Sequence, residues 1–185
     1  MQASDLQVSK LSLGPVKPVD FVTPLATGAM RFANILSAAR RQIVIVLHGT
    51  VASELYNYSG QLSFFFEPAA GELENLVLLE QFCADAEFVE AIGSTVEELG
   101  YEQRPTINGD NHIRIKLKTE GAGWKFTCND LAFKPDSDLV LGTPMTLTVS
   151  PGFYFCESDN RYGLFYTLKD LSFEKPIKRI LKRKA

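Results

Sequence analysis

In "HIRIKLKT" apolar and basic side chains alternate without a break. Ile113, Ile115 and Leu117 hold one parity, and Arg114, Lys116 and Lys118 the other. Successive side chains of a strand point to opposite faces, so this pattern predicts an apolar row in a core and a basic row outside it. A Gly-Ala-Gly turn follows, and "WKFTCND" reads as the return arm of a hairpin. Upstream, "FVTPLATGAMRFANIL" reads as a short extended segment and "RQIVIVLHGTVASELY" as a buried strand. "QLSFFFEP" reads as a strand stopped by Pro68. The period then changes: Leu73, Leu76 and Leu79, then Phe88, Ile92, Val96 and Leu99, recur at helical spacing with glutamates between them. This predicts one interrupted helix or two short ones, with Gly100 as a stop. After "LAFKPDSDLVLGTP" the chain returns to strands. In "MTLTVSPGFYFCE" the Pro151-Gly152 pair predicts a bulge or sharp bend. "SDNRYG" is a turn, and "LFYTLKDLSF" is a closing strand.

A β body with one helical insert and a strongly bent strand predicts a mainly β (α+β) fold that closes into a small barrel, because closure removes exposed edges. The five-stranded OB-type barrel suits this length, with a jelly roll of about eight strands as its competitor. The expected divisions are an irregular lead-in over residues 1–18, one domain over 19–174 with its helical insert at 69–100, and a basic tail over 175–185.

Composition sharpens the picture mainly through charge. The 185 residues carry a net charge of −3, yet from Glu67 to Glu102 there are ten acidic residues and no basic one. The final "KPIKRILKRKA" holds six basic residues and no acidic one, which leaves 13 basic against 22 acidic residues in the body. The acidic block is the solvated face of the predicted helices. The basic tail suits a polyanion or a self-docking contact. Cys83, Cys128 and Cys156 are far apart and form no CxxC pair, so reduced thiols are expected and a structural zinc site is not. The start of the chain lacks a signal-peptide layout, and its apolar runs are too short to cross a membrane, so a soluble protein that stays where it is made is expected.

The order of segments resembles the OB-fold single-stranded DNA-binding proteins of short-tailed phages and their relatives in other DNA viruses. The likeness runs through "FVTPLATGAMRFANIL", "LSFFFEPAAGELENLVLLEQFC", the Gly-Asp turn into "INGDNHIRIKLKT", and the finish "LVLGTPMTLTVSPGFYFCESDNRYGLFYTLKDLSF". It spans roughly residues 19 to 174. It implies a protein that coats single-stranded DNA in replication or recombination, in the cytoplasm of an infected host cell. Single-stranded DNA is then the partner. Replication proteins and a second copy of the chain are further partners that the resemblance leaves open. That family ends in an acidic tail understood to cover the DNA groove and recruit partners. Here the tail is basic, so neither tail-mediated recruitment nor tail-mediated dimerisation carries over.

The OB fold binds oligonucleotides on the outer surface of its middle strands, where cations track phosphates and aromatic rings stack on bases. The candidate interface is therefore Arg114, Lys116, Lys118 and Lys125, with Trp124, Phe153, Tyr154, Tyr162 and Phe165 as platforms and Arg161 in a turn. The bland reading of the basic row is a solvated face that discourages edge pairing. Trp124 shares its parity with Phe126 and Cys128, which suits a core residue as well as a platform. Leu164, Tyr166 and Leu168 should face inward, leaving Phe165 outward. In the tail, Ile177, Ile180 and Leu181 fall at helical spacing among Lys178, Arg179, Lys182, Arg183 and Lys184. A short basic helix there could meet phosphates, dock on the acidic helices or mark nuclear entry, and a solubilising tail is the alternative.

Enzyme readings find less. "VIVLHGT" is similar to the strand and His-Gly that build an oxyanion hole in α/β hydrolases, but no GxSxG elbow exists and His48 suits a core or strand-end position. Asp130, Asp136 and Asp138 could be imagined as an acidic metal set, although "PDSD" is ordinary turn chemistry. No phosphate loop and no HExxH occur. The expectation is no enzyme, no cofactor and no metal. A jelly-roll capsid component whose basic tail meets packaged genome is the competing function.

Overall fold

A computed structural model describes residues 1–22, 27–58, 61–82, 102–120, 123–129, 133–156 and 160–173. The second half of the helical insert, with Phe88, Ile92, Val96, Leu99 and Gly100, and the whole basic tail lie outside the described residues. So do Cys83 and Asp130.

The strands, in chain order, are β1 (Ser12–Leu13), β2 (Lys17–Val22), β3 (Thr27–Leu36), β4 (Ile45–Val51), β5 (Tyr56–Tyr58) and β6 (Gln61–Pro68). Helix α1 (Ala70–Phe82) follows, then β7 (Glu102–Gln103), β8 (Ile113–Lys116), β9 (Thr119–Glu120), β10 (Gly123–Trp124) and β11 (Thr127–Cys128). A helical turn, Pro135–Asp138, leads to the two longest strands, β12 (Pro144–Cys156) and β13 (Arg161–Phe173). The body is mainly β, as the alternation predicts, and its sheet is antiparallel apart from β7 and β11, which pair parallel to β13.

β12 organises the sheet. On one side it pairs with β13 along its whole length. On the other, Pro144–Val149 pair with β4 and Gly152–Cys156 pair with β3. The bend predicted at Pro151-Gly152 is this change of partner. Proline has no N–H to offer a ladder, so it fits where one neighbour ends and the next begins. Ser150 is buried there, and its hydroxyl donates to the Ile43 carbonyl at 2.9 Å. The extra residue of the bulge sits across the ladder. Thr148 pairs with Asp170 and Val149 with Leu168, which leaves Lys169 of β13 unpaired in the register.

The sheet continues from β4 through β6 to β8. β8 comes beside β13, but no ladder joins the two, so the predicted full closure is not seen and the curled sheet is not closed. Its inner surface is the core: Ile35, Ile45, Leu47, Phe64, Phe66, Ile113, Ile115, Leu147, Val149 and Leu171 are all buried. Each such side chain contributes roughly 1.5–3 kcal/mol by leaving water. Helix α1 lays Leu76 and Leu79 against the same core, at the predicted spacing.

Two expectations change. The lead-in is irregular but packed. Its 3-10 turns Ala3–Asp5 and Val8–Lys10 lie against α1, Ala3, Leu6 and Leu11 are buried, and Lys17 already begins β2. Met1 is tied to β4, its ammonium donating to Val44 O and its carbonyl accepting from Val46 N. These apolar residues recur at no regular period, so nothing local marks them as core. The long hairpin is also shorter than predicted. β8 pairs with β6, and the turn joins only β9 to β10, with one more backbone bond from Lys125 N to Lys118 O. The return arm then leaves to pair with β13 through Thr127 and Cys128, with Phe126 buried just before them.

Gly49 is fixed by close approach. A Cβ on Gly49 would overlap the Glu67 carbonyl across the β4–β6 ladder. Gly49→Ala should lower stability by about 1–3 kcal/mol, the usual cost of overpacking. Urea denaturation followed by circular dichroism checks this, and an unchanged midpoint would mean that the two strands part there at no cost.

Candidate nucleic-acid interface

β8 starts from a turn that fixes its direction. Asn108 Oδ1 accepts from the backbone N–H groups of Asp110 and His112, Asn111 takes a left-handed conformation, and Asn108 N donates to His112 O. The strand then runs with Ile113, Ile115 and Leu117 buried, and with Arg114, Lys116 and Lys118 half-buried on the other face. Pairing sets what stands beside those cations. Arg114 lies opposite Phe65 and Lys116 opposite Ser63, while Tyr56 of β5 lies on the far side of Ser63. Directly opposed residues share a face with Cβ atoms about 5 Å apart. The outer face therefore carries Tyr56, Phe65, Arg114 and Lys116 together. The Tyr56 and Phe65 rings stack at 5.5 Å and 26°. The Phe65 backbone is held on both sides, its N–H by Ser53 Oγ and its carbonyl by Ala52 N, each at 2.8 Å.

At the far end of the row Lys118 feels the charges of two further lysines. Lys118 is half-buried, and its pKa is lowered from the usual 10.5, first by burial and then by the charges of Lys125 and Lys169. Lys125 is brought in by its backbone bond to Lys118, and Lys169 by the bulge. The neighbouring carboxylates do little to neutralise them. Glu120 approaches Lys125 only to 4.0 Å with both side chains well exposed, a pair worth close to nothing in water. Asp170 takes the Thr127 hydroxyl.

A second aromatic group lies on β3, β12 and β13. Phe32 pairs with Tyr154, and Gly152 with Phe165, so Phe32, Tyr154 and Phe165 share the outer face with Lys17, which lies opposite Phe32. All three rings are half-buried. One glycine, Gly152, makes room for a ring of this group. A Cβ on Gly152 would come within 2.5 Å of the Phe165 ring, whereas one on Gly163 would overlap the Arg104 carbonyl at 2.6 Å and only touch Tyr154. Phe32 meets Phe165 edge to face at 5.6 Å. The outward Phe165 thus covers backbone that the bend would otherwise leave bare.

Three candidates move from the surface to the core. Phe153 and Tyr162 are 4% and 6% exposed and face each other at 6.1 Å. Tyr162 is already within β13, opposite Phe155, because the turn ends before Arg161. Trp124 is half-buried, stacked on Phe126 at 5.4 Å with Phe133 at its edge, and packs against the core. Arg161 is exposed at the start of β13. Lys178, Arg179, Lys182, Arg183 and Lys184 lie outside the described residues. Tyr56, Phe65, Phe32, Lys17 and Lys169 were absent from the candidate set. Alternation in "QLSFFFEP" marks Phe65 as outward once Phe64 and Phe66 are placed inside. No local signal marks Lys169, whose position depends on a bulge opposite Thr148 and Val149.

Of the residues considered for catalysis or metal binding, His48 and Asp138 have structural partners. Glu72, buried in the first turn of α1, accepts from His48 N and meets His48 Nδ1, each at 2.7 Å, while Ala69 N donates to His48 O. These bonds pin the helix to the middle of β4, where His48 is exposed, neither in the core nor at a strand end as expected. Asp138 caps its own helical turn by accepting from Lys134 N at 2.8 Å. Among the described residues no three of His, Cys, Asp and Glu gather as metal ligands would, and no helix is long and apolar enough to cross a membrane.

Two predictions follow from the packing of Lys118 and Trp124. The folded state holds the Lys118 pKa below its unfolded value, so its charged form costs stability, in full below the folded pKa and progressively less as pH rises towards 10.5. Lys118→Met should therefore raise the urea midpoint at about pH 7, and the gain should shrink at alkaline pH. A loss of stability at neutral pH would contradict this. Trp124 is the only tryptophan. Packed as it is, it should emit at short wavelength, and a solvent-like emission maximum would contradict this packing. Searches against family models, curated proteins and solved structures return no match, so the likeness to the phage DNA-binding proteins rests on the order of segments alone.

Proposed function

We propose that this protein binds single-stranded DNA without base specificity and acts in viral, most plainly phage, DNA replication or recombination. The curled sheet is read as an unclosed form of the five-stranded OB barrel. The observation that carries the reading is the company kept by the basic row: Arg114 and Lys116 share an outer face with the stacked Tyr56 and Phe65. Same-face residues of a strand are spaced roughly 6.6 Å apart, a step comparable to one nucleotide of extended backbone. Phosphates would follow Arg114, Lys116 and Lys118, and bases would lie against Phe65 and Tyr56. From Lys169, β13 leads on through Thr167 to Phe165, so the same strand of DNA could reach the second aromatic group.

Stacking is tolerant of base identity because every base has a π face, and phosphate contacts carry no sequence information. The combination therefore favours general coating over sequence recognition. A flexible single strand can bend round a curled sheet, while a stiff duplex keeps its bases out of reach of the rings. The protein needs no catalytic group for this role.

Fluorescence anisotropy with labelled oligo-dT should show tight binding at low salt and weak binding of duplex of the same length. Equal affinity for the two forms, or none for either, would remove the proposal. Arg114→Ala with Lys116→Ala should lower the slope of log K against log salt by about 1.4, from two phosphates at roughly 0.7 each. Phe65→Ala should cost about 1–3 kcal/mol of binding with the slope unchanged. The same titration on a chain ending at Glu174 separates the tail from the sheet: a slope that largely survives truncation assigns binding to the sheet.

A further inference from the structure

We infer that Lys118, Lys125 and Lys169 form a single seat for one backbone phosphate of the bound strand. This rests on the single-stranded DNA reading above and adds to it a defined anchoring point with its own pH dependence.

The three amines come from three separate pieces of chain, and each is directed there by a specific feature. Lys118 ends the alternating row that begins at Arg114, and Leu117 beside it is anchored by its N–H to Leu62 O at 2.9 Å. Lys125 is held by the last backbone bond of the small hairpin, from its N–H to Lys118 O at 2.8 Å. Lys169 is the additional residue in β13 where the register against β12 shifts. A bulge leaves one residue out of the ladder and re-aims its side chain. Without it Lys169 would take an ordinary place in the inside–outside alternation of β13.

The charges facing Lys118 from the elements around it are Lys125 on the hairpin and Lys169 on β13, with Glu120 and Asp170 as the nearby acids. Glu120 is well exposed and only loosely paired with Lys125. Asp170 accepts from Thr127 Oγ1, and the same hydroxyl lies 3.4 Å from the Lys169 carbonyl. Lys125, opposite Lys118 on the hairpin, and Lys169 of β13 thus both act on a half-buried lysine, with little compensation from nearby acids. Such an arrangement costs folding energy and is relieved when an anion arrives. A phosphate between the amines supplies opposite charge to all three and favours the protonated form of Lys118. Its lowered pKa in the free protein then becomes a source of proton uptake on binding. The sign follows: affinity is full while Lys118 is protonated in the free protein and falls as pH rises through its lowered pKa. Arg114, always charged, cannot impose this dependence.

The test follows lysine side-chain resonances of the full-length protein by NMR through an alkaline titration. The protein is measured free, with oligo-dT lacking terminal phosphates, and with inorganic phosphate. Anisotropy against oligo-dT is run in parallel. In the free protein the Lys118 signal should titrate below those of the exposed lysines, and oligo-dT should move its titration upward. Lys118→Gln should lower the salt slope by about 0.7 and flatten the alkaline fall in affinity. Lys125→Gln with Lys169→Gln should return the titration of Lys118 in the free protein towards the ordinary range. An upward move with inorganic phosphate but none with oligo-dT would make the seat a site for free phosphate and overturn the assignment. Oligo-dT binding with no change at Lys118, or with the slope unaltered by Lys118→Gln, would also overturn it while leaving the coating function intact. If oligo-dT fails to bind at all, the functional reading falls, and this inference with it.

Discussion

The bend in β12 is the constraint on which the other features depend. One strand serves β4 with its first half and β3 with its second, while β13 follows it throughout. That is possible only where the chain can turn without losing hydrogen bonds. Pro151 has no donor to lose, Gly152 has no side chain to displace, and buried Ser150 supplies a hydroxyl to Ile43 O at the junction. The turn curls the sheet, brings β8 beside β13 and encloses one apolar interior.

Two outer features of interest lie beside this bend. Opposite Gly152 the Phe165 ring takes the room a side chain would have filled, and Phe32 closes against its edge. Near the bend, where Thr148 and Val149 face three residues of β13, Lys169 leaves the ladder and joins Lys118 and Lys125. Half-buried rings and a displaced lysine thus flank the same bend. Burying Lys118 among like charges is unfavourable for the fold by itself, and the extensive apolar core offsets it. A site that stores unfavourable charge in the free protein and discharges it on meeting an anion turns that cost into affinity.

Much of this was legible along the chain. The alternation of "HIRIKLKT" gave the burial of Ile113, Ile115 and Leu117 and the outward row of Arg114, Lys116 and Lys118, because period two leaves one solution once a core exists. "QLSFFFEP" was a strand with the expected limits, and the helical spacing of Leu76 and Leu79 predicted their burial in α1. Proline followed by glycine marked the bend. Partner choice was not legible. The hairpin shortened because Phe126 and Phe133 draw the return arm inward, and Phe153, Tyr162 and Trp124 became packing residues for the same reason. The lead-in joined the core through Ala3, Leu6 and Leu11, which carry no periodic signal.

The sequence by itself determined which side chains of each strand face together, where the chain must turn, and that positive charge is concentrated on one alternating segment. These are consequences of local geometry, fixed by the pleat and by the special backbones of proline and glycine. Only the tertiary structure decided what stands next to those charges. Tyr56 and Phe65 reach Arg114 and Lys116 through the pairing of β5, β6 and β8, and Lys169 reaches Lys118 through a register shift. Pairing and register depend on the packing of the whole core, and no short stretch of sequence contains that information.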